Sequence, residues 1–192
     1  AQIIIPPTNE KCKNEDFVQS KSHLNLMDAI TKGTTTGLSI CLNIIATLIV
    51  MLSLVFLINS LLNIFPNFGS EPLSLQKLMG LIFAPLMWFL GMSWAEALLA
   101  GELMGTKTVL NEFIAFLNLS KIDTGLLTER TKLITVYALS GFANFGSLGI
   151  MVTGLISMAP NRRLEILELG PKSIISGTLA TLITGSVIGL II

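Results

Sequence analysis

Residues 133–161 carry no charged side chain, and at their centre stands Gly141-Phe142-Ala143-Asn144-Phe145-Gly146-Ser147. A run of this length can cross a bilayer, because a hydrocarbon core of ~30 Å takes roughly 20 apolar residues as a helix. Its centre is poor helix material. Gly141, Gly146 and Gly149 lower helix propensity, and Asn144 and Ser147 bring donors and acceptors that lipid does not satisfy. A polar, glycine-rich break at membrane depth is tolerated only where protein or a water-filled cavity surrounds it. Small residues at a tight helix–helix contact would give a similar composition. A second interrupted apolar segment lies just upstream, however, and paired broken segments point to the substrate site of a transporter.

The whole chain supports a membrane setting. Of its 192 residues 52% are hydrophobic and only 12% charged, and its mean hydropathy is +0.76. Charges are too few for an ordinary soluble surface. The formal net charge is zero and no basic stripe is present, so nucleic acid is not an expected partner. Cys12 and Cys41 have neither disulfide-framework nor metal spacing and read as free thiols. His23, flanked by polar residues, reads as a surface histidine. No Ser-His-Asp set, metal cluster or phosphate cradle stands out, so neither an enzyme nor a bound metal or cofactor is expected. The start AQIIIPPTNEKCKNEDF lacks a signal-peptide core, and the chain is expected to be the C-terminal part of a longer protein.

The expected fold is an all-α integral membrane protein, with spanning helices plus a re-entrant helical hairpin and a broken transmembrane helix. Residues 1–37 read as a polar leader ending in an interfacial helix, and 38–68 as an uncharged spanning helix closed by Phe65-Pro66-Asn67-Phe68-Gly69. Asn43 and Asn59 in that span are expected to face protein. Residues 69–94, divided by Pro85 and carrying Trp88 and Trp94, read as an interfacial helix leading into a re-entrant element. In 95–120 two apolar halves flank Gly105-Thr106-Lys107-Thr108, and Glu96, Glu102, Lys107 and Glu112 make the segment too charged for lipid. A hairpin with its tip buried in protein reconciles these features. Residues 121–158 hold the broken helix, opened by Thr128 as a cap. Residues 159–192 make a turn at Arg162-Arg163, a short amphipathic piece and a last span. Lysine and arginine distribution places the leader and that turn in the cytoplasm and the C-terminus outside.

GTKTVLNEFIAF at residues 105–116, YALSGFANFGSLGI at 137–150 and APNRR at 159–163, in this order and spacing, resemble the C-terminal half of the concentrative nucleoside transporters. The resemblance runs from about Asp28 to the end. It implies one half of an inverted-repeat transporter fold in a trimer at the bacterial inner membrane, taking up nucleosides with a cation, Na+ or H+. In this likeness residues 38–62 are the scaffold helix at the trimer contact, and the N-terminal half of the same protein supplies the base-reading residues and the main sodium site. The ribose-binding residues fall on Glu112, Asn144, Ser147 and Phe142. Many relatives carry serine at the place of Gly146 and often cysteine at that of Ser140.

A carboxylate accepts from ribose hydroxyls while an amide both donates and accepts, so the implied roles fit the residue types. The blander use of Glu112 is a salt bridge to Lys107, and that of Lys107 is tip capping or ion pairing. Glu96 and Glu102 read as structural, Phe145 and Tyr137 as packing residues, Trp88 and Trp94 as interfacial anchors. Two other functions share the architecture: a carrier of another polyhydroxylated solute, and a membrane scaffold that transports nothing.

Overall fold

The computed structural model describes residues 4–6, 25–64, 73–123 and 125–192. The polar stretch at 9–22, Cys12, His23 and the turn at 65–69 lie outside them. The described elements are all helical: α1 (Leu26–Leu62), α2 (Leu75–Phe89), α3 (Trp94–Val109), α4 (Glu112–Lys121), α5 (Glu129–Leu139), α6 (Phe145–Met158), a 3-10 turn (Pro160–Arg162) and α7 (Arg163–Ile191).

α1 is one 37-residue rod rather than an interfacial piece followed by a span. Asn25 caps its start by accepting from Asp28 N at 2.8 Å, and the Thr31 and Thr34 hydroxyls donate to carbonyls one turn back. The helix therefore runs unbroken through the expected boundary at residues 37–38. Its only buried residue is Val55. Asn59 binds Gln76 Oε1 and the Leu75 amide at the start of α2, whereas Asn43 is exposed. α7 is likewise continuous across Pro171, joining the expected amphipathic piece and last span. α1, and the 3-10 turn together with α7, are long and apolar enough to cross a membrane.

α2 does not divide at Pro85; it runs through it. The cost of the proline is offset by close packing against α3 along the glycines of both helices. A Cβ on Gly101 would stand 2.7 Å from Ala84 N and Gly80 O, and one on Gly105 would collide with Gln76 O and Gly80 N. Residues 76, 80 and 84 of α2 thus meet 105 and 101 of α3 in antiparallel order. Gly91, at φ +91, makes the turn between them.

Gly105 to Thr108 accordingly lie inside α3, all buried, and the expected interruption there is displaced to Leu110-Asn111. Glycine at 105 serves close approach and does not break the helix. Beyond the displaced break α4 must double back. α3 and α4 laid end to end would span ~39 Å, while the segment 122–128 reaches at most about 24 Å. Yet Thr128 N donates to Glu96 Oε1 at 2.8 Å, in the first turn of α3. α5 starts at that point, capped by Thr128. Its Arg130 donates to Gly91 O at 2.8 Å and Gly189 O at 2.6 Å, tying it to the α2–α3 turn and the end of α7. Phe83, Met87, Met104, Ile134, Leu139 and Leu182 form the centre of the core.

Gly101→Ala in the full-length protein should force α2 and α3 apart and destabilise it by roughly 1–3 kcal/mol, the usual cost of overpacking. Gly33→Ala, where nothing lies within 4 Å, should raise stability by up to about 1 kcal/mol through helix propensity. Thermal unfolding in detergent distinguishes them: a lower melting temperature for the first, a higher one for the second.

Candidate functional site

Two interruptions face each other. At the first, the chain leaves α3 at Leu110 and passes through extended Asn111, whose side chain accepts from Ile114 N at 2.9 Å and so caps α4. Glu112 is the first residue of α4, where the unsatisfied amides of the helix N-terminus favour a carboxylate. At the second, α5 stops at Leu139 and α6 starts at Phe145, with extended Asn144 as its N-cap. The break is therefore residues 140–144, while Gly146 and Ser147 already belong to the first turn of α6.

Asn144 and Ser147 form a reciprocal capping box. Ser147 N donates to Asn144 Oδ1 at 2.6 Å, and Asn144 N donates to Ser147 Oγ at 3.0 Å. Both residues are buried, Asn144 being 2% exposed. The remaining end of the Asn144 amide reaches across to the other interruption, where Nδ2 donates to Glu112 Oε2 at 3.0 Å. Residues 32 positions apart are thereby joined, and each belongs to the first turn or cap of a half-helix.

The bonding leaves a defined set of free valences. Asn144 has its oxygen committed to the cap and one N–H left, and Glu112 retains Oε1 and further lone pairs. The Ser147 hydroxyl donates toward Asn144 O or Phe142 O, at 2.8 and 3.2 Å. Having accepted from Asn144 N, it keeps one acceptor site. Phe142 is 64% exposed and lines two clefts with Ser147. One, of about 250 Å³, opens toward α1 and includes Leu48, Asn111 and Asn144. The other, of about 580 Å³, opens toward α7 and includes Ser173, Gly177 and Thr181. The three polar side chains Asn111, Asn144 and Ser147 converge in the first. A serine at 146 would need Leu48 to yield slightly, since a Cβ there stands 3.3 Å from Leu48 Cδ2 and 3.2 Å from Asn144 Oδ1.

The structure thus brings Glu112, Asn144 and Ser147 together, with Phe142 beside them. Glu112 makes no ion pair with Lys107, contrary to the blander expectation; its partner is Asn144. Lys107 caps no hairpin tip either. It is fully buried and donates to Ala138 O at 2.9 Å and Thr181 Oγ1 at 3.3 Å. Glu96 is structural as expected, completing a capping box with Ser93. Sequence reasoning missed Asn111, although an asparagine just ahead of a helical turn is a recognisable cap. Thr181 carried no signal, lying 74 positions from Lys107.

Long apolar helices around a pair of interrupted ones, with polar side chains closing the interruptions on each other, define part of a helical membrane transporter. The chain belongs to the family described as Na+ dependent nucleoside transporter C-terminus, which it matches over residues 1–189. It is 38% identical to the uncharacterized transporter YutK of Bacillus subtilis, over 100% of this chain and 48% of that protein. It is 36% identical to the nucleoside permease NupC of Helicobacter pylori, over 98% and 46%. Among solved structures it is similar to a variant of CNTnw in an outward-facing state, with a TM-score of 0.83 and 35% identity over 96% of this chain and 45% of that one. The chain therefore spans just under half the length of these relatives.

Asn144→Ala removes a helix cap and the amide facing Glu112, so a loss of about 1–2 kcal/mol is expected. If the contact couples the two breaks, Glu112→Gln and Asn144→Ala will be non-additive by roughly 0.5–3 kcal/mol. A double-mutant cycle of melting free energies on the full-length protein measures this, and additive losses would show the breaks to be independent.

Proposed function

We propose that this chain is the C-terminal part of a cation-coupled carrier that takes nucleosides into the cell, and that it supplies the ribose-binding groups. The observation that carries this is the hydrogen bond between Glu112 and Asn144 across two helix breaks, in a chain whose family includes nucleoside permeases. Glu112 accepts from a ribose hydroxyl, the free N–H of Asn144 donates to a hydroxyl oxygen, and Ser147 Oγ accepts. Phe142 covers the apolar face of the bound solute. With no nucleoside present, Glu112 and Asn144 satisfy each other, so the site avoids an unpaired carboxylate in a low-dielectric setting.

In this proposal α3 and α4 are the re-entrant hairpin of one inverted repeat, entering and leaving on the same membrane face. The doubling back of α4 and the shared anchoring of α3 and α5 at Glu96 and Thr128 support it. α5 and α6 are the broken transmembrane helix. α1, exposed along nearly its whole length, is the scaffold helix and contributes to a homotrimer in the bacterial inner membrane. The N-terminal half of the same protein completes the pocket, reads the base and holds the coupling ion, Na+ or H+. No bond of the solute is made or broken.

The test is uptake of labelled uridine into proteoliposomes containing the full-length protein, with sodium and proton gradients imposed separately. Uptake should follow one of the two gradients. Glu112→Gln should weaken apparent affinity by about 10–100-fold, matching the roughly 1.5–3 kcal/mol of a hydrogen bond to a charged group. Competition by free sugars as strong as that of uridine would assign the carrier to another polyhydroxylated solute. Absence of uptake under either gradient would leave a scaffold role, and uptake unchanged in both Glu112→Gln and Asn144→Ala would show that these two residues do not hold the solute.

A further inference from the structure

Lys107 is not used in the binding scheme above, yet it is the largest fully buried side chain of the described residues. A buried ammonium is costly unless opposite charge or good acceptors surround it. No ion pair among the described residues includes it, and Glu112 is the charge whose field it senses. Its acceptors are Ala138 O at 2.9 Å and Thr181 Oγ1 at 3.3 Å. Ala138 is the penultimate residue of α5, which has no basic residue in its own last turn. Its carbonyl is one of those that a helix end leaves unsatisfied and that carry the negative end of the macrodipole. Lys107 also lies in the last turn of α3. The ammonium therefore sits at the C-terminal end of α5, on a side chain carried by the last turn of α3, while Glu112 and the two asparagine caps sit at the N-terminal ends of α4 and α6. The break itself is packed on it. A Cβ at Gly141 would stand 3.6 Å from Nζ and collide with Thr181 Cγ2.

Carbonyls at the C-terminal end of an interrupted helix are the groups with which broken-helix carriers coordinate a coupling cation. We propose that Lys107 is a tethered cation occupying that position, so that the α5–α6 break takes no coupling ion from solution and is held ready for the solute by a charge belonging to the chain. A monovalent cation of the size of sodium or ammonium becomes a ligand of this place only when the lysine is removed. Lys107 is a positioning residue: it acts on the solute through the geometry of the break and through the field on Glu112.

Lys107→Gln separates charge from hydrogen bonding, because the amide can still donate to Ala138 O and Thr181. Lys107→Arg keeps the charge. Each is made in the full-length protein, and two quantities are read: the melting temperature in detergent, and nucleoside uptake at saturating coupling ion. Sodium chloride, ammonium chloride or methylammonium chloride is titrated against choline chloride at constant ionic strength, sodium in the uptake arm only where uptake follows the proton gradient. The uptake arm rests on the transport function proposed above, whereas the melting arm does not. Failure of the wild type to take up nucleosides therefore removes the transport function and leaves the tethered cation to be judged by melting.

Wild type and Lys107→Arg should show melting temperatures independent of ammonium and methylammonium. Lys107→Gln should melt lower, lose nucleoside affinity by at least about fivefold, the low end of coupling between two sites, and regain both in a saturable way with one of the three cations. Recovery of folded Lys107→Gln only when one of these cations is present during preparation supports the same conclusion, as does a folded Arg variant where no folded Gln variant is obtained. A Gln variant indistinguishable from wild type refutes it, since hydrogen bonding alone then suffices. So does a folded Gln variant whose losses none of the three cations reverses, or failure of both variants to fold, which would make shape the requirement.

Discussion

The structure depends on how the ends of its interrupted helices are satisfied. Each interruption leaves orphan carbonyls on one side and orphan amides on the other, and those that are buried must find a partner within the protein. The amide sides are closed by Asn111 and by the Asn144–Ser147 box, the carbonyl side of α5 by the Lys107 ammonium. One hydrogen bond, from Asn144 to Glu112, joins the two amide sides. The groups that make the breaks tolerable are thus the same ones to which the proposed function gives the recognition of a hydroxylated solute.

That arrangement needs rigid positioning, which comes from the opposite ends of the half-helices. Glu96 receives Thr128 N, and Arg130 reaches Gly91 O and Gly189 O, so α3 and α5 begin together and run into the fold side by side. The glycine-lined contact of α2 with α3 fixes a third element against them at a separation only small residues permit. α1 touches the unit mainly through α6, where Thr47 fills the space left by Gly149. Leu48 of α1 borders the cleft beside Asn144.

Much of the geometry of the candidate site was legible in the sequence. An asparagine and a serine three residues apart inside an uncharged run have no place in lipid, and that chemical misfit located the second break to within a few residues. The first break was misplaced, from 110–111 to 105–108, because glycine weakens a helix and also allows close approach, and only the neighbour α2 shows which effect applies. Pro85 and Pro171 misled as well: a proline predicts a stop from local sterics, but α2 and α7 run on through theirs.

By itself the sequence determined the class. Hydropathy and charge spacing are properties of the chain in any conformation, and they pointed to a helical membrane protein with polar interruptions; the motifs, separately, resemble those of one transporter family. Tertiary structure decided the partners. That Glu112 meets Asn144 follows from how the starts of α4 and α6 are brought together, and that Lys107 lies on the end of α5 against Thr181 follows from the meeting of α3, α5 and α7. Contacts between residues 31 to 74 positions apart are set by packing of whole helices, and no local pattern encodes them.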